Sequence, residues 1–96
     1  MISEYDNYCM ICGRPKQHTH HLIFGRGLRD LADKDELTIP VCLNCHELIH
    51  HDGIAGYFSK VIGQQAWEFK FLKENEDKTE DDARLYFMAR YGRSWL

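Results

Sequence analysis

The chain predicts an α+β fold: a small core of two strands and a helix, followed by a helical C-terminal extension. Three observations predict it. Two Cys-x-x-Cys pairs, Cys9/Cys12 and Cys42/Cys45, are separated by 29 residues. All four cysteines, all six histidines and both prolines fall within residues 1–53. Residues 54–96 contain none of these and carry apolar residues at helical spacing. A length of 96 residues with 44% hydrophobic content, five Tyr, five Phe and two Trp supports one domain over 1–96, divided into a core at 8–53 and an extension at 54–96. No apolar run approaches the ~20 residues of a membrane span. The start, Met1-Ile-Ser-Glu-Tyr-Asp6, lacks the basic and apolar regions of a signal peptide. The expectation is a soluble, cytoplasmic chain with no membrane partner. In a reducing compartment, four cysteines in so small a domain point to a metal rather than to disulfides.

The elements follow in order. Tyr8 to Lys16 holds Cys9-Met-Ile-Cys12-Gly13, a tight turn in which Gly13 can take a positive φ. His20-His21-Leu22-Ile23-Phe24 reads as a short strand ending at Gly25. Asp30 to Glu36 is polar and reads as a loop, and Leu37 to Val41 reads as a second strand. A helix runs from Cys45 through His51 and stops at Asp52-Gly53. A further helix opens near Ile54 with an apolar stripe of Tyr57, Phe58, Val61 and Ile62, read as core together with Trp67. It continues or restarts at Gln64. After the acidic connector Glu74–Asp77, Thr79 and Asp82 have capping-box spacing and open a last helix, Asp81–Arg90, that Gly92 ends.

A net charge of −3, from 12 basic and 15 acidic residues, is not the footprint of a general nucleic-acid binder. The distribution is more permissive. Seven acids and three lysines lie between Glu68 and Asp82, whereas Arg84, Arg90 and Arg93 occupy the last 13 residues with no acid. With Lys16, Arg26 and Arg29 upstream, two local basic surfaces could touch DNA.

Two residues between paired cysteines let both sulfurs reach one ion at about 2.3 Å, so Cys9, Cys12, Cys42 and Cys45 read as a structural Zn²⁺ site. Four thiolates leave no open position for a substrate. The alternative is four buried or disulfide-bonded cysteines. The gap between the pairs exceeds the usual ~15–20 residues, and the insert carries His20-His21. On the helix after Cys45, His46 and His50 lie four apart and share a face. His20 and His21, adjacent on a strand, point in different directions. One imidazole can therefore bind a metal while its neighbour accepts a proton, and neutral imidazole suits both roles near pH 7.

The pattern Cys9-x2-Cys12…His20-His21…Cys42-x2-Cys45-His46-x3-His50 resembles the zinc-knuckle type of HNH (ββα-metal, His-Me finger) endonuclease over residues 8–51. The resemblance implies a ββα-metal core with two strands and a helix around one catalytic divalent ion. It implies His20, His46 and His50 as ligands of that ion (Mg²⁺, Mn²⁺, Zn²⁺ or Ni²⁺) and His21 as general base. It also implies hydrolysis of DNA phosphodiester bonds to 5′-phosphate and 3′-hydroxyl ends. The family's middle Asn falls at Glu36 here, a departure in the residue that holds the loop orienting the base. The whole chain also resembles small HNH proteins of temperate phages. Some of these are classed with Ref-type recombination nucleases, which would make DNA and a RecA filament its partners.

Beside these stand plainer readings. His18 shares a strand face with His20 but reads as surface, and His51 as a solvent or phosphate contact. Arg26 and Arg29 read as DNA-phosphate contacts on the loop after the first strand. Tyr86, Phe87, Tyr91 and Trp95 read as a packed terminal helix before a base-stacking face. The rival function is a zinc-stabilised DNA- or protein-binding adaptor without catalysis.

Overall fold

The computed structural model describes residues 6–96, so the reading of the extreme N-terminus falls outside the described residues. The order is β1 (His18–His21), α1 (Leu28–Lys34), β2 (Thr38–Val41), α2 (Leu43–His51), α3 (Gly53–Glu74) and α4 (Glu80–Tyr91). The fold is α+β, with a two-stranded antiparallel sheet, four helices and a helical C-terminal part.

The strands pair in register His18↔Val41 to His21↔Thr38. β2 is buried at all four positions, between β1 and the N-terminal cysteine turn, whose Met10 N–H donates to the Pro40 carbonyl at 2.9 Å. Pro40 has no N–H to offer, so its place in β2 leaves the carbonyl as its only backbone hydrogen-bonding group.

Three expectations are corrected by packing. The first strand spans His18–His21 rather than 20–24. Strand pairing ends at His21, and after one more bond from Leu22 N–H to the Leu37 carbonyl the chain turns inward and buries Leu22 and Ile23. The expected loop at 30–36 is mostly α1. Leu28, Leu31 and Ala32 form its inward face at i, i+3 and i+4, and Ala32 is fully buried, while the polar residues face out. In α3 the Tyr57, Phe58 and Ile62 side chains are about half exposed (49%, 56% and 48%). The buried positions of the helix are instead the small and polar Gly56, Ser59, Gly63 and Gln64, while Val61 and Trp67 pack against the core, part-buried, as expected.

α3 is one continuous helix of 22 residues, opened by Asp52, whose carboxylate accepts from the Ile54 and Ala55 N–H groups at 2.9 Å. Its close approach to the sheet depends on Gly63. A Cβ there would stand 2.7 Å from Ile23 Cγ1 and 3.0 Å from Leu22 Cβ.

α4 closes the core from the other side. Thr79 and Asp82 form the expected capping box, and Gly92 at φ 83 ends the helix. Phe87, Tyr91 and Trp95 are buried, so the terminal aromatics are packing groups; Tyr86 is about half exposed. Asp35, just after α1, gathers this tail. It accepts two bonds from the Arg90 guanidinium at 2.7 Å, one from the Tyr91 hydroxyl at 2.6 Å and one from Trp67 Nε1 at 3.1 Å. Burial pushes its carboxyl up, but these donors outweigh that and hold it below the usual carboxylate range.

Gly63→Ala gains about 1 kcal/mol of helix propensity but forces a clash of about 1–3 kcal/mol against a packed wall. The expected result is a melting temperature lower by several degrees, read by circular dichroism.

Candidate metal centre

The cysteine cluster is built by two short pieces of backbone. Tyr8 and Pro15 pair across an antiparallel bridge, and inside that turn Gly13, at φ 80, donates its N–H to the Cys9 carbonyl at 2.9 Å. On the other side Cys42 is the N-cap of α2, with its sulfur accepting from the Cys45 N–H at 3.4 Å. The four sulfurs lie within 4.8 Å of one another, and Cys12 Sγ and Cys42 Sγ are 3.6 Å apart. Zn–S bonds of about 2.3 Å imply tetrahedral sulfur–sulfur edges of about 3.8 Å, so the cluster has the right size for one structural ion.

The charges agree. Burial pushes the Cys9 thiol up, but the N–H groups of Cys12, Cys42 and Ile11 outweigh it and bring it down to about 6. The Cys45 N–H chiefly lowers Cys42. Cys45 is pushed up to about 12, first by burial and then by its three thiol neighbours. Four such sulfurs can all be thiolates only beside a cation.

The histidine cluster lies further along α2. His20 is brought in from β1 and is fully buried; His46 and His50 stand one turn apart on α2. One ring nitrogen from each lies within 4.8 Å of the others, and the ring centroids are 4.7–5.3 Å apart. Ser59, on α3, determines what His20 offers. Its hydroxyl donates to the Leu22 carbonyl at 2.8 Å, so at the 2.8 Å contact with His20 Nε2 it must accept. Nε2 therefore carries the proton and Nδ1 a bare electron pair. Among the described residues, His20 Nδ1 is the buried side-chain polar atom left without a partner. Burial, reinforced by the charges of His46, His50 and His21, pushes His20 down to about 3, so the ring stays neutral. A buried neutral imidazole with an unused lone pair, clustered with two further imidazoles, could hold a cation.

His46 and His50 are also held down, chiefly by burial and then by neighbouring positive groups. His46 Nε2 meets His50 Nε2 at 3.1 Å, and its Nδ1 meets His18 Nδ1 at 2.8 Å. His18 is exposed as expected, yet it positions the His46 ring, a role that its shared strand face with His20 could have suggested. His21 lines a cleft of about 90 Å³ with Arg29, His46 and His50. Its Nε2 is 3.1 Å from Asp33 Oδ1. Asp33 was missed from sequence because α1 was read as a loop. Of the two arginines expected at phosphate, Arg29 reaches this cleft; Arg26 is exposed in the turn before α1. His51 is exposed at the end of α2, and Glu36 is exposed with a left-handed backbone, φ 59.

Cys42→Ser, or chelation of the cluster's metal, is expected to unfold the protein, because metal binding at such a site is folding free energy. A cooperative thermal transition in the metal-stripped protein, equal to that of the loaded form, would refute this. Ser59→Ala removes the group that fixes the His20 tautomer and is expected to weaken Co²⁺ binding at the histidines about 10–100-fold. Titration of Co²⁺ into zinc-loaded protein reads this directly, with the thiolate absorption bands of the cysteine site unchanged.

No curated protein and no solved structure matches the chain. The sequence family described as "Protein of unknown function (DUF968)" matches residues 5–84. That stretch takes in both cysteine pairs, the histidine cluster, Asp33, Ser59 and the opening of α4. It covers most of the chain, and the protein therefore belongs to the DUF968 family.

Proposed function

We propose that this protein is a metal-dependent HNH-type endonuclease that hydrolyses DNA phosphodiester bonds. The observation that carries the reading is the orphaned Nδ1 of buried His20, whose ring is clustered with those of His46 and His50 beside a histidine–carboxylate pair. The sequence resemblance supports it, since two strands and the helix behind a four-cysteine cluster are the parts an HNH core needs.

Three neutral imidazoles would hold the ion through His20 Nδ1 and ring nitrogens of His46 and His50, a donor set that favours Zn²⁺, Mn²⁺, Ni²⁺ or Co²⁺ over Mg²⁺. When bound, such an ion stabilises the negative charge that builds on the phosphate and on the departing 3′ oxygen. His21 supplies the base. With its Nε2 proton donated to Asp33, its Nδ1 is free to take a proton from the attacking water, and the carboxylate fixes the ring and stabilises the imidazolium that results. Arg29, on the wall of the same cleft, faces the substrate phosphate.

This division of labour accounts for Glu36. A residue at φ 59 has the left-handed conformation that Asn tolerates better than most non-glycine residues. Glu36 keeps that turn, with its N–H on the Asp33 carbonyl at 3.1 Å, while Asp33 takes over orientation of the base. The finer reading, a phage recombination nuclease working with RecA filaments, rests on the sequence of the tail alone.

His21→Ala is expected to lower metal-dependent plasmid nicking about 10²–10⁴-fold with the fold intact. Nicking that ignores His21 would overturn the base assignment. Metal analysis is expected to find two ions per chain. One zinc with no cleavage, on naked DNA and on RecA filaments alike, would favour the non-catalytic adaptor, which the net charge of −3 already suits.

A further inference from the structure

Past His50 the histidine cleft opens into a second depression of about 270 Å³, and Phe24 and His50 line both. Two cations reach it from distant parts of the chain: Lys60 from α3 and Arg93 from the segment after α4. Lys60 Nζ stands 4.5 Å from the Phe24 ring centroid and 5.8 Å from that of Trp95. The Arg93 guanidinium lies 4.7 Å from the Trp95 ring. Both heads are thus held against the aromatic walls of the depression.

The tail is pinned there. Trp95 is buried, its N–H donates to Gln64 Oε1 at 2.7 Å, and its carbonyl accepts from the Tyr57 hydroxyl at 2.6 Å. Of the three tail arginines, Arg84 is paired with Glu68 and Arg90 with Asp35. Among the described residues neither Arg93 nor Lys60 has an ion-pair partner. The depression's own carboxylate, Asp52, is occupied at the α3 N-cap. In a chain of net charge −3, Arg29 therefore borders the histidine cleft and Lys60 and Arg93 the depression beside it, with His50 lining both.

We propose that this depression is a second phosphate subsite for a nucleic-acid strand. A strand with its scissile phosphodiester at His20, His46 and His50 places a neighbouring phosphodiester between Lys60 and Arg93. The inference rests on the nuclease reading for what lies at the histidines, and on its own cations for what lies beside them. Phosphate contacts of this kind set the register of a strand without reading its sequence. They make the C-terminal segment part of the substrate site.

The test is binding of the full chain, zinc-loaded at the cysteines and without further metal, to a fluorescent duplex oligonucleotide at several salt concentrations. Each phosphate contact contributes about 0.9 to the slope of log K against log salt. Lys60→Gln with Arg93→Gln removes that one phosphate contact and is expected to reduce the slope by about 0.9 and to weaken binding roughly 10-fold near 0.1 M salt. Lys60→Arg with Arg93→Lys, which keeps both charges, should retain the slope. Lys73→Gln, at the far end of α3, with Lys78→Gln, in the connector after it, should also retain it. An unchanged slope in the first variant, or an equal loss in the distant one, overturns the subsite. Loss of slope in the first variant alone, with no cleavage by wild type, removes the nuclease reading and leaves the subsite. Cleavage by wild type with an unchanged slope does the reverse.

Discussion

The rest of the structure depends on the cysteine cluster, because it sets the start and the rotational phase of α2. Cys42 caps the helix and Cys45 sits in its first turn, so both sulfurs are tied to the hairpin that carries Cys9 and Cys12. His46 follows Cys45 immediately, about 100° round the helix. The helix therefore cannot turn His46 and His50 away from His20 without pulling Cys45 off the other three sulfurs. One short helix serves two clusters, sulfur on one side and nitrogen on another, and the first locks the geometry of the second. A nine-residue helix is too short to be stable alone. Its stability is tertiary, and the four sulfurs are a large part of it.

The second constraint is close packing of α3. Its buried positions are Gly56, Ser59, Gly63 and Gln64, and each has work that an apolar side chain would prevent. The glycines let the backbone approach Ile49 and the Leu22–Ile23 turn, where even a methyl group would crowd. That approach puts the Ser59 hydroxyl within reach of a fully buried imidazole, and Gln64 beside the backbone of Trp95. Phe58 and Ile62 remain half exposed, lining an apolar groove beside Leu22, Ile39 and Ile49.

A third set of contacts ties the extension to the segment beside His21. Asp33 and Asp35 are two residues apart at the end of α1. The first contacts His21, and the second collects Trp67, Arg90 and Tyr91. The extension thus braces the segment that orients His21, and through Trp95 it also holds the wall of the neighbouring depression. It is not an appendage to a self-sufficient core, since its buried aromatics Phe87, Tyr91 and Trp95 belong to the same apolar cluster as Leu22, Ile23 and Val41.

Spacing alone determined a good deal. Two residues between paired cysteines, three between His46 and His50, and two between Thr79 and Asp82 are local spacings, and local backbone geometry converts each directly into a contact. These placed the sulfur cluster, the α2 face and the α4 cap before any coordinates. What spacing could not supply were contacts between residues far apart in the chain. Ser59 on His20, Asp33 on His21, His18 on His46 and the four-way junction at Asp35 have no sequence period. The inward face of α3 was misread for a related reason. Periodicity reports where apolar side chains recur, whereas here the deciding quantity was how closely two backbones could approach. The sequence by itself determined which residue types could meet a metal. Only the tertiary structure decided which nitrogen of His20 keeps a free electron pair, because that depends on a hydroxyl brought by a helix nearly 40 residues further along the chain.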